Sequence, residues 1–465
     1  MTTKYNLSEL TYDQAVDLAM SLADFERSTN WPGHSFFHLE RVQMLAERLG
    51  DVDKAAAAIH VAGTKGKGST CALITSILTH AGYKVGLFTS PHLHSVCERI
   101  RVGLEPISTT DYAALIGQIW PAVMSVGRDG EYGGVSFFEM LTGLAMAHFR
   151  NIGADFQVLE VGMGGRLDST NIVTPEVSVI TSISLDHVNV LGDTIEKIAL
   201  AKAGIIKDGV PCVVGPQAES DAMRVFERVT GEHKAKLIST ADVFDWDIER
   251  SDIHGQKITL TSSDKTYSLR TPLLGDYQAE NVVTAVATAE ALVEKGYEIP
   301  TDAITAGVSN VAWPGRFEIF DIEGKTVVAD GAHNPYSVGR LVDNLRDYAR
   351  FDGVILVYGA LGGHSARDML SELATLNPSI VAVHSRHPRS SHSREVAEIV
   401  RDLGMNLVSR FESVAEGFRK AVEIAGPSDL VLCTGSLAVV AEVLEEIHGI
   451  EPEIYESLKG PRPRS

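Results

Sequence analysis

The sequence predicts an α/β protein: an N-terminal P-loop nucleotide-binding domain on a mostly parallel sheet, then a smaller C-terminal Rossmann-like domain. Three observations carry this expectation. Apolar, β-rich runs alternate with helical patterns along most of the chain. A glycine-rich turn, Gly63 to Ser69, joins one such run to a helix-like segment. The alternation pauses at Ala312–Glu318, where Pro and Gly stand between two patterned regions, and then restarts. These place the first domain at residues 1–310 and the second at 311–465.

Taken in order, IHVAG from Ile59 reads as a strand, STCALITSILTHAG as a helix and KVGLFTS as a second strand. FFEMLTGLAMAHFRNIG reads as a helix, FQVLEVG and VSVITSI as strands, and TIEKIALAKAGIIK as a helix. Residues 236 to 272 are polar and short-period, which predicts an antiparallel insertion. The helix DYQAENVVTAVATAEALVEKG follows. Beyond the junction the strands are KTVVAD, GVILVYGAL, SIVAVHS, one near Asn406 and DLVLCTGS, with helices between them.

Composition excludes several classes. The 465 residues are 44% hydrophobic and 22% charged, which is neither disordered nor collagen-like. A formal charge of −20 argues against a nucleic-acid binder but leaves room for a small anion in a local basic pocket. Cys71, Cys97, Cys212 and Cys433 are widely spaced, as expected of free thiols in a reducing cytosol. No run approaches the ~18 uncharged apolar residues a membrane helix needs, and the first residues lack an apolar signal core. A cytoplasmic protein is expected.

The chemistry begins at Gly63-Thr64-Lys65-Gly66-Lys67-Gly68-Ser69. Glycines allow the backbone to turn its N–H groups inward, and the helix that follows adds positive partial charge. The result is a phosphate cradle, with Lys67 in reach of the outer phosphates and Ser69 able to face a metal. Gly68 between Lys and Ser distinguishes it from the common P-loop pattern. Glu160 ends one strand, before Gly162-Met163-Gly164-Gly165-Arg166-Leu167-Asp168, and Asp186-His187 follow another. Ligands gather at such strand ends, so Glu160 and His187 are candidate Mg²⁺ ligands, His187 an atypical one. Lys202 lies between Ala201 and Ala203. Burial would lower its pKa and make it a nucleophile toward CO₂, although spacing alone favours a snorkelling helix lysine. Arg316 beside Gly315 is free to reach a phosphate, and Asp330 stands where a ribose or a phosphate could be met. An ion pair for Arg316, an N-cap for Asp330 and a polar helix face for Asn281 are the plainer readings.

Together these pieces resemble the folylpolyglutamate synthase / dihydrofolate synthase family of the Mur ligase superfamily. The matching segments are HVAGTKGKGST, FTSPHL, FFEMLT, VLEVGMGGRLDSTN, SLDHVNVLGDTIEKIALAKAGIIK, WPGRFE, DGAHNP and CTGSL, in family order from about residue 60 to 436. The resemblance implies ATP-dependent amide ligation through an acyl phosphate, with L-glutamate as the amine and tetrahydrofolate or dihydropteroate as the acid. It implies that Gly63 to Ser69 hold the ATP phosphates. It implies that Ser90 and Glu160 bind one Mg²⁺ and His187 a second, with Lys202 as a carbamate helping to hold the metal. Lys67, Lys202, Glu160 and His187 are then the catalytic set. Asn281 is the expected adenine contact, Arg316 the phosphate contact and Asp330 the contact from the second domain, with His333 beside it. Phe138, Glu139, Leu167, Asp168 and Ser169 are expected on the folate side. A K⁺ ion is admitted, though no residue demonstrates it, and a monomer is the expected state.

Some positions depart from the family pattern. Lys65 stands where many bacterial members have Asn. The segment from His34 to Arg41 lacks an Asp often seen there, and Gly359 to Asp368 carries Arg where a Lys-Asp pair is common. The folate-side selectivity is thereby left open, not the ligase chemistry. The alternative is a Mur-type ligase acting on a cell-wall precursor. It needs a substrate-binding N-terminal domain, where only the helical leader TYDQAVDLAMSLADFERS is found. A non-enzymatic ATP-binding module would be expected to have lost its metal ligands.

Overall fold

The computed structural model describes residues 5–25, 37–186, 188–362 and 365–454. Eight strands form the first sheet: β1 (Ala57–Ala62), β2 (Val85–Phe88), β3 (Ile100–Val102), β4 (Glu105–Pro106), β5 (Phe156–Glu160), β6 (Val177–Ile180), β7 (Cys212–Val214) and β8 (Leu237–Ser239). Their order is β4-β3-β2-β5-β1-β6-β7-β8. From β2 to β8 all pairs are parallel, and β3 and β4 add an antiparallel edge. The parallel core strands are buried and mostly apolar because helices cover both faces, with His60, Gln157 and Ser178 as buried polar exceptions. Val61 pairs with Glu160 and Ala62 with Ile180, so the carboxyl ends of β5, β1 and β6 lie side by side. That register brings the turns after Glu160, Ala62 and Ile180 to one place.

The helix Lys67–His80 runs from the β1 turn beneath the sheet, and every residue from Ser69 to Leu78 is buried. Burying a Leu or Ile side chain there contributes about 1.5–3 kcal/mol. The Ala-rich helix Asp276–Glu294 packs on it, its small side chains permitting close approach. A second sheet of β9 (Asp245–Asp252), β10 (Gly255–Thr261) and β11 (Thr266–Thr271) is antiparallel throughout. It sends Ile258, Leu260, Tyr267 and Leu269 into the same core. The insertion read from the sequence is therefore present. It starts later than residue 236, because β8 pairs in parallel with β7 as the last strand of the main sheet.

The third sheet comprises β12 (Glu318–Ile322), β13 (Lys325–Ala329), β14 (Gly353–Tyr358), β15 (Ser379–Val383), β16 (Asn406–Phe411) and β17 (Asp429–Thr434). Its order is β12-β13-β17-β14-β15-β16, parallel except for β12. The sequence reading missed β12. It is half-buried at a sheet edge and joined to β13 by Glu323-Gly324, both at positive φ (55° and 75°), the signature of a tight hairpin turn. Leu93, from the loop after β2, packs against Ala329, Val440 and Leu444 and ties the two large sheets together. Among the described residues no helix is long and apolar enough to cross a membrane.

Candidate active site

A cleft of about 1430 Å³ is lined by the carboxyl-end turns of β1, β2, β5 and β6, by the helix Asp276–Glu294 and by loops of the third sheet. The β1 turn is built by glycines at two places. Gly63 has φ of 152°, and a Cβ there would lie 1.7 Å from Thr181 Oγ1. Gly66, the N-cap of the helix Lys67–His80, has φ of 86° and would bring a Cβ within 2.2 Å of Asn281 Oδ1. With glycine at the cap, no side chain satisfies the first turn. The N–H groups of Lys67, Gly68 and Ser69 thus have no intrahelical acceptor, which is the local basis of an anion site. Thr64 anchors the turn to β6, its N–H bonding Ser182 O at 2.8 Å and its hydroxyl Ser184 O at 3.2 Å.

Lys67 lines the cleft and makes no ion pair or hydrogen bond among the described residues. Lys65 behaves differently. Its ammonium donates to Asp186 Oδ2 and to His333 Nε2, both at 2.8 Å. His333 Nδ1 lies 2.8 Å from the Gly331 carbonyl, so Nδ1 carries the proton and Nε2 accepts. Lys65 therefore bridges the first sheet to the third. Burial pushes its pKa down, against the pull of Asp186.

Glu160 is buried at the end of β5. Its Oε2 accepts the Ser90 N–H at 3.0 Å, and Oε1 takes no hydrogen bond among the described residues. Burial raises its pKa, while Lys67, the Ser90 N–H and Arg316 oppose the rise. Lys202 is buried rather than snorkelling: it is 4% exposed, and its Nζ donates to Gly63 O at 2.8 Å. Desolvation brings its pKa down to about 7. His187 lies outside the described residues. Asp168 commits its carboxylate to the chain, accepting the Met163 N–H, the Thr170 N–H and the Thr170 hydroxyl. It shapes the glycine-rich loop after β5.

From the second domain, Arg316 reaches the cleft from the β12 approach. Its one hydrogen bond goes to the carbonyl of Gly315 (3.0 Å), and it makes no ion pair among the described residues. Asp330 also faces the cleft, but both its oxygens serve the backbone. Oδ2 accepts the Phe317 N–H at 2.9 Å and Oδ1 the Ala332 N–H at 2.8 Å. Asn281 holds Gln278 (2.9 Å) and receives the Thr70 hydroxyl (3.3 Å) while standing against Gly66.

Phe138, Glu139, Leu167 and Ser169 line the same cleft beyond Glu160. Ser169 bonds Thr142 at 2.7 Å. Glu139 is the N3 residue of a capping box with Ser136 and pairs bidentately with Arg41, at 2.6 to 3.0 Å. Its carboxylate is thus occupied by the protein itself. Sequence reasoning named Arg41 only as the end of the segment from His34 and gave it no role; it is 1% exposed, and nothing local tells a helix-surface Arg from a buried one. It also left out of the site Asp186, the partner of Lys65, and the pair Tyr277–Arg340, whose guanidinium sits 5.9 Å from the ring centroid. Leu185 (53% exposed), Val188 and Leu200 give one wall of the cleft an open apolar surface.

A family model described as the Mur ligase middle domain matches residues 126–289, and one described as the Mur ligase, glutamate ligase domain matches residues 315–437. The dihydrofolate synthase/folylpolyglutamate synthase of Bacillus subtilis is 35% identical over 412 residues, covering 88% of this chain and 94% of the relative. Mycobacterium tuberculosis folylpolyglutamate synthase complexed with ADP has a TM-score of 0.84 at 31% identity, covering 95% of this chain and 99% of that one. Escherichia coli FolC in complex with DHPP and ADP has a TM-score of 0.82 at 32% identity, again covering 95% and 99%.

Proposed function

The chain belongs to the folylpolyglutamate synthase/dihydrofolate synthase family of Mur ligases, and from that premise we propose the reaction its cleft performs. It is an ATP-dependent ligase. Its proposed substrates are ATP, L-glutamate and the carboxylate of a folate, tetrahydrofolate or dihydropteroate. The observation that carries the reading is the pairing of Lys67 and Arg316. These two cations come from different domains, make no ion pair among the described residues, and face one cleft beside an uncapped helix N-terminus. Exposed Leu185 and Leu200 suit a flat aromatic substrate on the adjoining wall. No observation favours a cell-wall precursor.

In the proposed mechanism the N–H groups of Lys67 to Ser69 hold the nucleotide phosphates and Asn281 meets the adenine. The substrate carboxylate attacks the terminal phosphorus, the bond to ADP breaks, and an acyl phosphate forms. The glutamate amine, having lost a proton, then attacks the acyl carbon. Phosphate departs and an amide remains. Lys67 and Arg316 offset the charge that gathers on the phosphoryl oxygens. Because Arg316 is brought by the second domain, closure completes the site and excludes water from the acyl phosphate.

Glu160 offers a buried carboxylate with one oxygen unengaged, a donor that fits Mg²⁺. Ser90, Glu160, His187 and a carbamylated Lys202 would hold two Mg²⁺ ions, which supply charge neutralisation and orient the phosphates. An amine with a pKa of about 7 is substantially neutral at physiological pH and competent to take up CO₂. Carbon-13 NMR with labelled bicarbonate is expected to show a carbamate signal that Lys202→Ala abolishes, and its absence in the native chain would remove the carbamate. A cytosolic monomer completes the reading; the four buried free thiols are compatible with a reducing compartment and do not bear on the oligomeric state.

Phosphate release with Mg²⁺-ATP and L-glutamate tests the proposal. Release with both tetrahydrofolate and dihydropteroate marks a bifunctional synthase. Release with tetrahydrofolate alone marks a polyglutamate enzyme. Release with neither, while ATP binds, overturns the folate reading.

A further inference from the structure

A second constellation lies in the C-terminal domain. β15 and the edge strand β16 are parallel, with Val383 paired to Phe411, so the next residues, His384 and Glu412, emerge side by side. His392 caps the helix Ser393–Asp402 immediately above them. One ligand atom from each of His384, His392 and Glu412 lies within 4.8 Å of the other two, the one such group of His, Cys, Asp and Glu found among the described residues.

The supporting hydrogen bonds decide which atoms are available. His384 Nδ1 is 3.0 Å from the Ser391 carbonyl, so it carries the proton and Nε2 presents its lone pair. This bond from the remote ring nitrogen to a backbone carbonyl is the arrangement that orients metal-binding histidines. Glu412 Oε1 is pinned by the Ser393 hydroxyl at 2.6 Å and by Arg410 at 3.2 Å. Oε2 is left facing His392 Nδ1 at 3.7 Å. The imidazoles of His384 and His392 stack at 4.8 Å. Two imidazole nitrogens and one carboxylate oxygen, with His392 and Glu412 open to solvent, form a donor set for a borderline cation. Mg²⁺ and Ca²⁺ prefer oxygen alone. Drawing the ligands in to about 2.0–2.2 Å from an ion requires rotation of the exposed His392 and Glu412 side chains, while His384 stays fixed.

We propose that His384, His392 and Glu412 bind one divalent cation of the Zn²⁺ class, and that this ion clips together the base of the loop 385–391. The loop has a reason to be clipped. It carries His387 and Arg389 into the cleft wall and is anchored beside Leu361 through Ser390. An ion at its two ends would hold those side chains in place from outside the active site.

The test uses the full chain without a histidine tag, with the nucleotide site filled by Mg²⁺ and ADP. Co²⁺ serves as the optical probe for Zn²⁺. All four cysteines are buried and do not compete. One equivalent of Co²⁺ is expected to give a ligand-field spectrum that Zn²⁺ displaces. His384→Ala and Glu412→Gln each remove a ligand and are expected to weaken binding by more than the ~10–100-fold that losing a residue behind a ligand costs, and His254→Ala, an exposed histidine in the β9–β10 turn, to leave it unchanged. Hydrogen exchange across residues 385–391 should slow with Zn²⁺ in the native chain and not in His384→Ala. A titration without a stoichiometric spectrum, or equal affinity in His384→Ala, overturns the site. Unchanged exchange with Zn²⁺ bound overturns the clip.

Discussion

Gly66→Ala places one methyl group at the point where the nucleotide turn, the helix cap and Asn281 meet. Two costs can be worked from the geometry. Holding an L-residue at φ of 86° costs about 1–2 kcal/mol. The new Cβ would fall 2.2 Å from Asn281 Oδ1, so Asn281 must leave, giving up its contacts with Thr70 and Gln278. Two such hydrogen bonds are worth about 1 kcal/mol each. The total is about 3–4 kcal/mol, and it falls on the turn proposed to cradle ATP. The free turn relieves this cost by relaxing and ATP must restore it on binding, so the KM for ATP is expected to rise by up to roughly 10²–10³-fold, at about 1.4 kcal/mol per decade. Gly82→Ala separates strain from clash, since Gly82 has φ of 93° and nothing within 4 Å of its would-be Cβ. It should lose about 1–2 kcal/mol of stability with an unchanged KM. Steady-state kinetics beside thermal denaturation read both. A wild-type KM in Gly66→Ala, or an equal rise in Gly82→Ala, would refute the reasoning.

Arg41→Met leaves the buried carboxylate of Glu139 with only the Ser136 cap, so about 3–5 kcal/mol of stability should be lost; a loss under about 1 kcal/mol in urea denaturation would show the pair to be solvated. Glu442 has its pKa raised from 4.5 to about 7, chiefly by burial, with the Arg386 N–H opposing. A carboxyl whose folded pKa exceeds its unfolded value favours the folded state below pH 4.5, and that contribution is lost as pH rises through 7. The loss is about 3 kcal/mol. Glu442→Gln should therefore be the more stable protein at pH 8 and equal to wild type near pH 4.5, and parallel melting curves at the two pH values would contradict this. Arg316→Ala should lower turnover by about 10²–10³-fold at saturating ATP while its melting temperature stays near wild type. Wild-type turnover would remove Arg316 from the site.

The parts of the site that were legible are those whose chemistry is local. Gly63 to Ser69 could be read because a strand, three glycines and a helix start are contiguous, and the parallel sheet followed from the alternation of strand-like and helix-like segments. Lys202 shows the limit. Its two Ala neighbours hinted at burial, yet only the fold brings its Nζ to the Gly63 carbonyl. Arg41 and Glu139 are 98 residues apart, and no periodicity announces that pairing. The strand β12 was missed because its residues alternate weakly, being half-buried at an edge. Asp168 and Asp330, expected at the site, do line the cleft, but the hydrogen bonds that occupy them depend on turns whose exact φ values no motif encodes.

Those two aspartates bear on how the cleft is organised. Each is buried, each has its pKa raised by desolvation, and each offsets that cost with hydrogen bonds from its own chain. Asp330 clamps Phe317, the residue after Arg316, which sits at φ of 49°, outside the region an aromatic residue normally adopts. The aspartate thus fixes the strained turn that aims the guanidinium. Lys65 does the complementary task on the other side, joining Asp186 to His333 across the two sheets. The acids in this cleft largely hold backbone or a lysine, whereas Lys67 and Arg316 make no ion pair among the described residues. In a chain with a net charge of −20, an anionic substrate can be drawn only where cations are kept from the protein's own carboxylates. That separation requires backbone donors to satisfy Asp168 and Asp330, which is why the glycine-rich loop after β5 and the turn after β13 fold tightly around them.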